Sequence, residues 1–353
     1  ETTTDGKHYH PSALTTPEAL VLYQQMAQAV ENGLTHVVME VSSQAYKTKR
    51  VFGLTFDLGI FLNISPDHIS PIEHETFEEY FLCKQELLLH SKKMVMNHES
   101  DHFEVLENLC QINHIPYLTY GGSAADYPVI AMDDPRTFEL KSSTDPLAIN
   151  GDYALTMFGH FNHENAAAAL LATAWLETPR NHMKESLSKC VIPGRMTLFD
   201  LPNGALAFVD FAHNYLSLLS MGQLAKEIRP HGKAIVMTGS AGGKALSRRK
   251  DMGLAITQIY DVAVLTSDDP NFENPNAIAE EIQQAIENPE VTVYREMDRE
   301  QAIYLALSLA GPQDVVVLAG KGNEASMKIE GHDAPYDGDA IYAQKWIATQ
   351  KEA

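Results

Sequence analysis

The segment that most strongly determines the fold reads Val315-Val316-Val317-Leu318-Ala319-Gly320-Lys321-Gly322-Asn323-Glu324. Its first five residues are apolar and mostly β-branched, and glycine follows them at once. A short run of this kind predicts a strand of a parallel sheet that is covered by helices on both faces. Because ligands bind beyond the carboxyl ends of the strands in an open parallel sheet, residues 320–324 form a candidate binding loop.

The same combination of an apolar run and a polar turn recurs in both halves of the chain. Between the runs, segments such as 275–287 and 299–310 carry apolar residues at helical spacing. This alternation predicts an α/β fold in which helices cover mostly parallel sheets. The predicted strands are residues 35–41, 56–63, 93–97, 234–238, 262–266, 291–295 and 315–319.

The length and one proline-glycine segment predict two domains. A chain of 353 residues exceeds what a single hydrophobic core usually organises. An alanine-rich helical segment, 162–175, is followed by Ile192-Pro193-Gly194-Arg195, where proline and glycine suit a hinge. We therefore predict domains at 1–191 and 192–353. The first residues carry no initiator methionine and resemble a strand and turn, so we expect a chain truncated at its N-terminus.

Composition excludes several classes of function. No stretch approaches the length of about 18 apolar residues that a membrane span needs, so we expect a cytoplasmic protein without a membrane span. The formal net charge of -21 repels a phosphodiester backbone and argues against nucleic acid as a ligand. Three widely spaced cysteines predict free thiols, with neither a disulfide framework nor a zinc site. An enzyme this acidic needs magnesium and a few placed cations to bind nucleotide phosphates.

Polar residues stand at the ends of five predicted strands. Turn preferences alone explain any one of them, but five at corresponding ends favour a shared ligand-binding edge. The five stretches are Glu40-Val41-Ser42-Ser43, Asn63-Ile64-Ser65-Pro66-Asp67-His68, Gly239-Ser240-Ala241-Gly242-Gly243-Lys244, Asp268-Asp269-Pro270-Asn271 and Gly320-Lys321-Gly322-Asn323-Glu324.

Glu40 ends a run that we expect to be buried on both faces, where an unpaired carboxylate is costly. Two interpretations are open. Glu40 binds a magnesium ion, or it pairs with a lysine or with backbone amides.

Lys84 occupies an unusual position on a predicted helix. Phe77, Tyr80, Phe81, Leu87 and Leu88 form an apolar stripe, and Lys84 falls on the same stripe. Desolvation favours a neutral amine, which can react with carbon dioxide to form an anionic carbamate. With His68, that carbamate could hold a magnesium ion. On the residues alone, a lysine that extends its ammonium from the edge of the stripe is the better interpretation.

The glycine-rich segment 239–244 is not a P-loop. A P-loop has four residues between its first two glycines and Ser or Thr after its lysine, whereas Ala245 follows Lys244 here. No other stretch of the chain supplies that motif.

The ordered set of motifs resembles the Mur ligases. Singly each stretch is weak, but together they span nearly the whole chain in the order that the family shows. They are Thr15-Thr16-Pro17, 39–43, 63–68, Tyr80-Phe81 with Lys84, 159–165, Pro193-Gly194-Arg195-Met196, 209–213, 268–271 and 320–324.

This resemblance implies a fold and an activity. Mur ligases have a uridine-binding first domain, a central ATPase domain that opens with a P-loop, and a Rossmann-like C-terminal domain for the incoming amino acid. The chain is expected to carry the central domain without its P-loop, followed by the C-terminal domain. The implied reaction is ATP-dependent: a carboxylate of UDP-N-acetylmuramoyl-L-alanyl-D-glutamate is phosphorylated, and the amino group of the next residue attacks the acyl phosphate. We expect the protein to be a monomer.

Matched positions imply roles for individual residues. Glu40 is implied as a magnesium ligand, and His68 with carbamylated Lys84 as ligands of a second magnesium ion, which reverses the interpretation of Lys84 from the helix alone. The implied muramoyl-substrate contacts are Thr15, Thr16, Ser42 and Arg50, and the implied ATP contacts are Asn162, Asn165, Arg195, Asp210 and His213.

One departure from the family bears on the amino acid. Members that add meso-diaminopimelate carry Asp-Asn-Pro-Arg, whose arginine pairs with the distal carboxylate of that substrate. Asn271 replaces the arginine here, which favours L-lysine, because its side chain ends in an ammonium. Arg249 is a candidate for the α-carboxylate. The candidate partners of the ammonium are Asp268, Asp269, Glu273 and Glu324.

Three other functions stay open at this point. A meso-diaminopimelate-adding ligase and a folylpolyglutamate synthetase share the ATP chemistry, although Glu-Val-Ser-Ser and Asp-Asp-Pro-Asn favour the muramoyl substrate. A non-catalytic nucleotide-binding module is the alternative from another class. A Gly-Lys-Thr loop directly upstream of Glu1 would favour a ligase over that module.

Overall fold

The computed structural model describes residues 2–12, 14–65, 69, 73–243 and 246–352. Its contacts divide the chain into two compact units. The first unit comprises residues 1–131, 138–153 and 164–183, and the second comprises 132–137, 154–163 and 184–353. Within the described residues, every helix is too short or too polar to cross a membrane. The predicted boundary near Ile192 stays a prediction.

The first half of the chain forms a small hairpin and a six-stranded sheet. The order of the sheet is β3-β4-β5-β6-β7-β8, with parallel pairing from β3 to β6 and an antiparallel pair between β6 and β7. The elements are β1 (Thr2–Thr4), β2 (Tyr9–Pro11), α1 (Ala19–Glu31), α2 (Ser43–Lys47), β3 (Gly59–Phe61), α3 (Phe77–Leu89), β4 (Met94–Asn97), α4 (Phe103–Ile112), β5 (Tyr117–Gly121), β6 (Tyr127–Ala131), β7 (Thr137–Leu140), β8 (Gly151–Ala154), α5 (His160–Trp175) and α6 (Arg180–Lys189).

The apolar stripe predicted on α3 faces the core of the first unit. Tyr80, Phe81 and Leu88 are buried there together with Met94 of β4 and Leu106 of α4. The spacing of three and four residues places these side chains on one face of the helix, which fixes how α3 lies against the sheet. The predicted helix is therefore confirmed, and it extends one residue further, to Leu89.

The predicted strand 35–41 is wrong. Residues 34–42 form neither a helix nor a strand, and Val38 is 99% exposed. A strand needs a ladder partner, and among the described residues this segment has none: β3, the edge strand of the sheet, pairs with β4. Glu40 on this segment is exposed, so the expectation of a carboxylate buried on both faces is also wrong. The strand predicted at 56–63 shrinks to β3 for a similar reason: Phe56 makes only an isolated bridge to Ser91.

The second half of the chain forms a doubly covered six-stranded sheet. Its order is β13-β12-β11-β14-β10-β9, and all pairs are parallel except that of the edge strand β9 with β10. The elements are β9 (Thr197–Asp200), β10 (Leu206–Asp210), α7 (Tyr215–Ile228), β11 (Ala234–Thr238), α8 (Ser247–Ile259), β12 (Val262–Leu265), α9 (Pro275–Gln284), β13 (Thr292–Arg295), α10 (Arg299–Ser308), β14 (Val315–Ala319), β15 (Ser326–Ile329), β16 (His332–Pro335) and α11 (Asp339–Glu352).

Alternate residues of the central strands enter two separate cores. Val315 and Val317 of β14 pack with residues of α7, α8 and α9, whereas Val316 and Leu318 pack with residues of α10 and α11. A strand that is buried on both faces must be apolar throughout, which is why the strands of the second half could be predicted from the sequence. The predicted α/β class with parallel sheets is confirmed.

Candidate active site

A cluster of charged side chains lies beyond the carboxyl ends of β12 and β14. Lys321 is 1% exposed, and its Nζ lies 2.8 Å from Oδ1 of Asp269 and also contacts Oε2 of Glu324. The guanidinium of Arg299 lies 3.8 Å from the carboxylate of Asp268. The structure thus brings together three residues predicted for the amino acid, Asp268, Asp269 and Glu324. It gathers them around Lys321 and Arg299, which the sequence analysis did not assign.

Glycine permits the close approach of these two loops. A Cβ on Gly320 would lie 2.3 Å from Oδ2 of Asp268, and the φ of Gly320 is +118°. Both observations exclude a larger side chain at this position. Opposite it, Asp269 has a φ of +45° and accepts a hydrogen bond from the backbone N–H of Lys328 at 2.8 Å.

Burial and neighbouring charges set the protonation of the cluster. Burial raises the pKa of Asp268 to about 6, although Arg299 and Lys321 oppose that change. Burial alone would lower the pKa of Lys321, but Asp268, Asp269 and Glu324 together raise it above its ordinary value. Lys321 is therefore a cation at neutral pH, and Asp268 titrates near the acidic limit of the physiological range.

Arg299 connects the cluster to the C-terminal helix. Its Nε and Nη2 donate to the two carboxylate oxygens of Asp339 at 2.9 and 2.8 Å, a bidentate pair in which both residues are buried. The remaining donors bond to carbonyl oxygens, Nη2 to Ala319 at 2.9 Å and Nη1 to Ser267 at 3.1 Å. No local pattern marks Arg299, because its partners lie 20 to 40 residues away in the chain.

Asn271 occupies a strained position beside the cluster. Its φ is +54°, a region that asparagine tolerates better than most residues. Its backbone N–H donates to the carbonyl of Lys328 at 2.9 Å, and its own carbonyl accepts from Glu330 at 2.8 Å. Its side-chain Oδ1 is buried and has no hydrogen-bond partner within the described part of the chain. A buried acceptor of this kind favours a ligand that brings a donor.

Arg249 forms ion pairs with two glutamates, although its buried Nε has no hydrogen-bond partner among the described residues. It is buried, its Nη2 lies 2.9 Å from both carboxylate oxygens of Glu273, and its Nη1 lies 3.0 Å from Glu281. Its predicted contact with an α-carboxylate stays a prediction, and a substrate would have to compete with two glutamates for that contact.

Residues predicted for ATP form a second group near the start of the second half. Asp210 is buried and accepts hydrogen bonds from the backbone N–H groups of Met196 and Ala212, each at 2.9 Å. Burial raises the pKa of Asp210 above its ordinary value. The buried amide of Asn162 donates to the carbonyl of Phe158 at 2.7 Å and lies 2.9 Å from the sulfur of Met196.

An aromatic ring joins two further predicted ATP residues. The guanidinium of Arg195 lies 5.0 Å from the ring centroid of Phe211, and the ring of His213 stands edge-on to the same ring at 4.9 Å. Nδ1 of His213 lies 2.7 Å from the carbonyl oxygen of Phe211. Phe211 was not predicted, although it lies between Asp210 and His213 in the sequence. Asn165, also predicted for ATP, is exposed on α5 and falls in the first unit.

The predicted muramoyl contacts form a compact group in the first unit. The hydroxyl of Thr16 is buried, donates to the carbonyl of Glu40 at 2.9 Å and accepts from the N–H of Ser42 at 3.0 Å. Arg50 donates to the carbonyl of Thr16 at 3.3 Å, and the hydroxyl of Ser42 caps α2 by accepting from Ala45. The structure therefore brings Thr16, Ser42 and Arg50 together. The adjacent Thr15 is half-buried.

The predicted metal ligands are described only in part. The side chain of Glu40 is exposed on the segment 34–42, and its backbone carbonyl accepts a hydrogen bond from the hydroxyl of Thr16. Lys84 is half-buried on α3, and its Nζ lies 5.7 Å from the ring centroid of Tyr80. His68 lies outside the described residues. An exposed carboxylate is a donor that magnesium accepts, so Glu40 fits the ion by type although it is not buried.

Comparison with known proteins shows the family. Residues 1–173 match the Mur ligase middle domain, and residues 194–322 match the domain described as Mur ligase, glutamate ligase domain. The chain is 47% identical over 350 residues to the UDP-N-acetylmuramoyl-L-alanyl-D-glutamate--L-lysine ligase of Enterococcus faecalis, covering 98% of this chain and 69% of that protein. It is 42% identical to the UDP-N-acetylmuramyl-tripeptide synthetase of Lactococcus lactis subsp. cremoris, with coverage of 98% and 70%.

Solved structures agree with that assignment. A UDP-N-acetylmuramoyl-L-alanyl-D-glutamate--2,6-diaminopimelate ligase matches with a TM-score of 0.59 and 26% identity, covering 94% of this chain and 69% of that chain. A folylpolyglutamate synthase from Thermotoga maritima matches with a TM-score of 0.57 over 93% and 70% of the two chains, but at 17% identity it shows the fold alone. The matched domains cover most of the chain, and the chain therefore belongs to the Mur ligase family.

Proposed function

We propose that the chain carries the catalytic residues of an ATP-dependent ligase that adds L-lysine to UDP-N-acetylmuramoyl-L-alanyl-D-glutamate in peptidoglycan precursor synthesis. The observation that carries the proposal is the charged cluster at the ends of β12 and β14, with the buried acceptor of Asn271 beside it. Relatives at 42–47% identity bear the name of the lysine-adding ligase or of the tripeptide synthetase, which supports the same conclusion.

The cluster has an excess of negative charge that suits an ammonium ligand. Four carboxylates, those of Asp268, Asp269, Glu324 and Asp339, surround two cations, Lys321 and Arg299. With all groups ionised, two negative charges are uncompensated. The side-chain ammonium of L-lysine reduces this excess, whereas the distal carboxylate of meso-diaminopimelate increases it.

The residues of the chain have distinct tasks in the proposed reaction. ATP phosphorylates the D-glutamyl carboxylate, and the α-amino group of L-lysine attacks the resulting acyl phosphate and releases inorganic phosphate. Thr15, Thr16, Ser42 and Arg50 orient the muramoyl dipeptide, and the guanidinium of Arg50 supplies a positive charge for its carboxylates. Nucleotide contacts come from Asn162, Asn165, Arg195, Asp210 and His213, with Phe211 presenting its ring to Arg195.

Two magnesium ions belong to the proposal. Magnesium, when bound, neutralises phosphate charge, and we assign Glu40 to one ion and His68 with carbamylated Lys84 to the other. The partial burial of Lys84 beside Tyr80 supports an amine whose charge is not fully solvated.

Lys84→Ala should lose at least about 100-fold in kcat, with partial rescue by a small carboxylate such as formate. Lys92→Ala, which removes an exposed lysine paired with Asp57, is the matched control. Full activity of Lys84→Ala would rule out the carbamate.

Substrate preference tests the function directly. The full-length protein should ligate L-lysine with a kcat/KM at least about 100-fold above that for meso-diaminopimelate, because a misplaced charge in a binding site costs several kcal/mol. A reversed preference would establish the diaminopimelate-adding ligase instead. Binding of ATP without formation of ADP, and without amide formation from any amino acid, would favour the nucleotide-binding module. The predicted monomeric state and cytoplasmic location stay predictions.

A further inference from the structure

Lys321 is a buried cation of the charged cluster, and no step of the proposed reaction uses it. It lies two residues beyond β14 and is 1% exposed. Burying an ammonium costs several kcal/mol unless carboxylates compensate it, and here Asp269 and Glu324 do so through direct contacts. Because solvent does not reach Lys321, solubility does not explain why a lysine stands at this position.

The two carboxylates depend on Lys321 to different degrees. Oδ1 of Asp269 also accepts a hydrogen bond from the N–H of Lys328 at 2.8 Å, so backbone geometry already fixes that side chain. Glu324 is different. Its side chain is 40% exposed, and its ion pair is with the ammonium of Lys321, three residues earlier in the chain. An exposed glutamate has several rotamers of similar energy, and one buried cation is enough to select among them.

We propose that Lys321 is a positioning residue, which holds the carboxylate of Glu324 in the orientation that receives the side-chain ammonium of the incoming L-lysine. Glu324 uses Oε2 for Lys321, and a carboxylate has further lone pairs that a second ammonium can share. Lys321 also separates the negative charges of Asp269 and Glu324, which would repel each other if it were absent. This inference rests on the proposed function.

A substitution separates positioning from simple charge attraction. Lys321→Met approximately preserves the length of the side chain and removes its charge, so the excess negative charge of the cluster rises. If net charge alone governed binding, the variant would bind L-lysine more tightly. If Lys321 positions Glu324, the KM and the Kd for L-lysine should rise by at least about tenfold, with a smaller change in kcat at saturating L-lysine.

The matched control removes a comparable ion pair elsewhere. Lys226 is half-buried and its Nζ lies 2.6 Å from Asp261, away from the cluster. Lys226→Met should therefore reproduce any general loss of stability while leaving the KM for L-lysine unchanged. A KM of Lys321→Met that is unchanged or lower than that of the wild-type protein would overturn the inference.

A second variant covers the case in which Lys321→Met does not fold. Lys321→Met/Glu324→Gln removes one charge of each sign and so leaves no unpaired ion from this pair. Because Lys321 acts through Glu324, this double variant should have a KM within about twofold of that of Glu324→Gln alone. A KM more than about fivefold higher would overturn the inference.

The same assays distinguish the two proposals. Wild-type protein that does not ligate L-lysine contradicts the proposed function and overturns the inference with it. Wild-type protein that ligates L-lysine, together with Lys321 variants whose KM does not change, overturns the inference alone.

Discussion

A single side chain, Asn271, separates the proposed lysine preference from the preference for a dicarboxylic amino acid. It combines a φ of +54° with a buried Oδ1 that has no hydrogen-bond partner among the described residues. Backbone hydrogen bonds to Lys328 and Glu330 hold the turn that contains Asn271. The backbone from which this side chain extends is therefore fixed before any ligand arrives.

Asn271→Arg should weaken the selection of L-lysine. A guanidinium here would repel the substrate ammonium and supply a partner for a carboxylate, so we expect kcat/KM for L-lysine to fall by at least about tenfold. The ratio of kcat/KM for L-lysine to that for meso-diaminopimelate is the measurement. Because arginine suits a positive φ less well than asparagine, Asn271→Gln serves as the control for backbone strain. An unchanged ratio in Asn271→Arg would show that residue 271 does not discriminate between the side-chain end groups of L-lysine and meso-diaminopimelate.

Some site residues were predictable because they follow strands directly. Asp268, Asp269 and Glu324 were identified by that rule, and the structure brings them together. The rule could not identify Arg299, since its contacts come from residues far away in the chain. Arg249 was named from the family resemblance, and the sequence does not reveal that Glu273 and Glu281 form ion pairs with its guanidinium.

At the scale of elements, burial on both faces decided which strands could be predicted. The predicted strands 234–238 and 315–319 agree with β11 and β14 at both ends, and these lie at the centre of their sheet. The predicted strand 35–41 also contains an apolar run, Val37-Val38-Met39, but has no ladder partner among the described residues. The hydrophobicity of a segment indicates that it tends to be buried. A strand also needs a neighbouring strand that supplies backbone hydrogen bonds.

Gly194 determines how the segment before β9 approaches the loop after β14. It has a φ of +72°, and a Cβ there would lie 2.2 Å from the backbone nitrogen of Asn323. Gly194→Ala should therefore cost about 2–4 kcal/mol in the free energy of unfolding, because strain and overlap with backbone add together. Urea unfolding measures the loss.

Gly243 provides a matched control for that substitution. Its φ is also +72°, but a Cβ added there would have no atom within 4 Å among the described residues. Gly243→Ala should cost only the strain of a positive φ, about 1 kcal/mol. Equal losses in the two variants would mean that the contact with Asn323 contributes nothing.

At the scale of the whole molecule, Asp268 of the charged cluster should make the free energy of unfolding depend on pH. The pKa of Asp268 is about 6 in the folded protein, against an ordinary value of 3.8 for an aspartate in the unfolded chain. A raised pKa stabilises the folded state below the unfolded value, and this contribution is lost as pH rises through the folded value. Between about pH 4 and pH 6.5, the wild-type protein should therefore lose up to about 3 kcal/mol relative to Asp268→Asn, which does not titrate.

The two tryptophans of the chain allow the difference in the free energy of unfolding between the wild-type protein and Asp268→Asn to be assigned to one unit. Trp346 is on α11 in the second unit, and Trp175 is on α5 in the first. In a Trp175→Phe background, the fluorescence of Trp346 reports urea unfolding of the second unit alone. A stability difference between the wild-type protein and Asp268→Asn that stays constant across that pH range would contradict the raised pKa.

The bidentate ion pair between Arg299 and Asp339 connects the last helix, α11, to the charged cluster at the ends of β12 and β14. Asp339 is the first residue of α11, yet it balances a guanidinium whose other hydrogen bonds end on Ser267 and Ala319, next to the acidic cluster. Asp339→Asn would deprive Arg299 of its buried counter-charge while the residues of α11 that pack on the sheet stay in place. The guanidinium of Arg299 would then be drawn to Asp268, so we expect this variant to keep its nucleotide contacts while its selectivity for the amino acid falls.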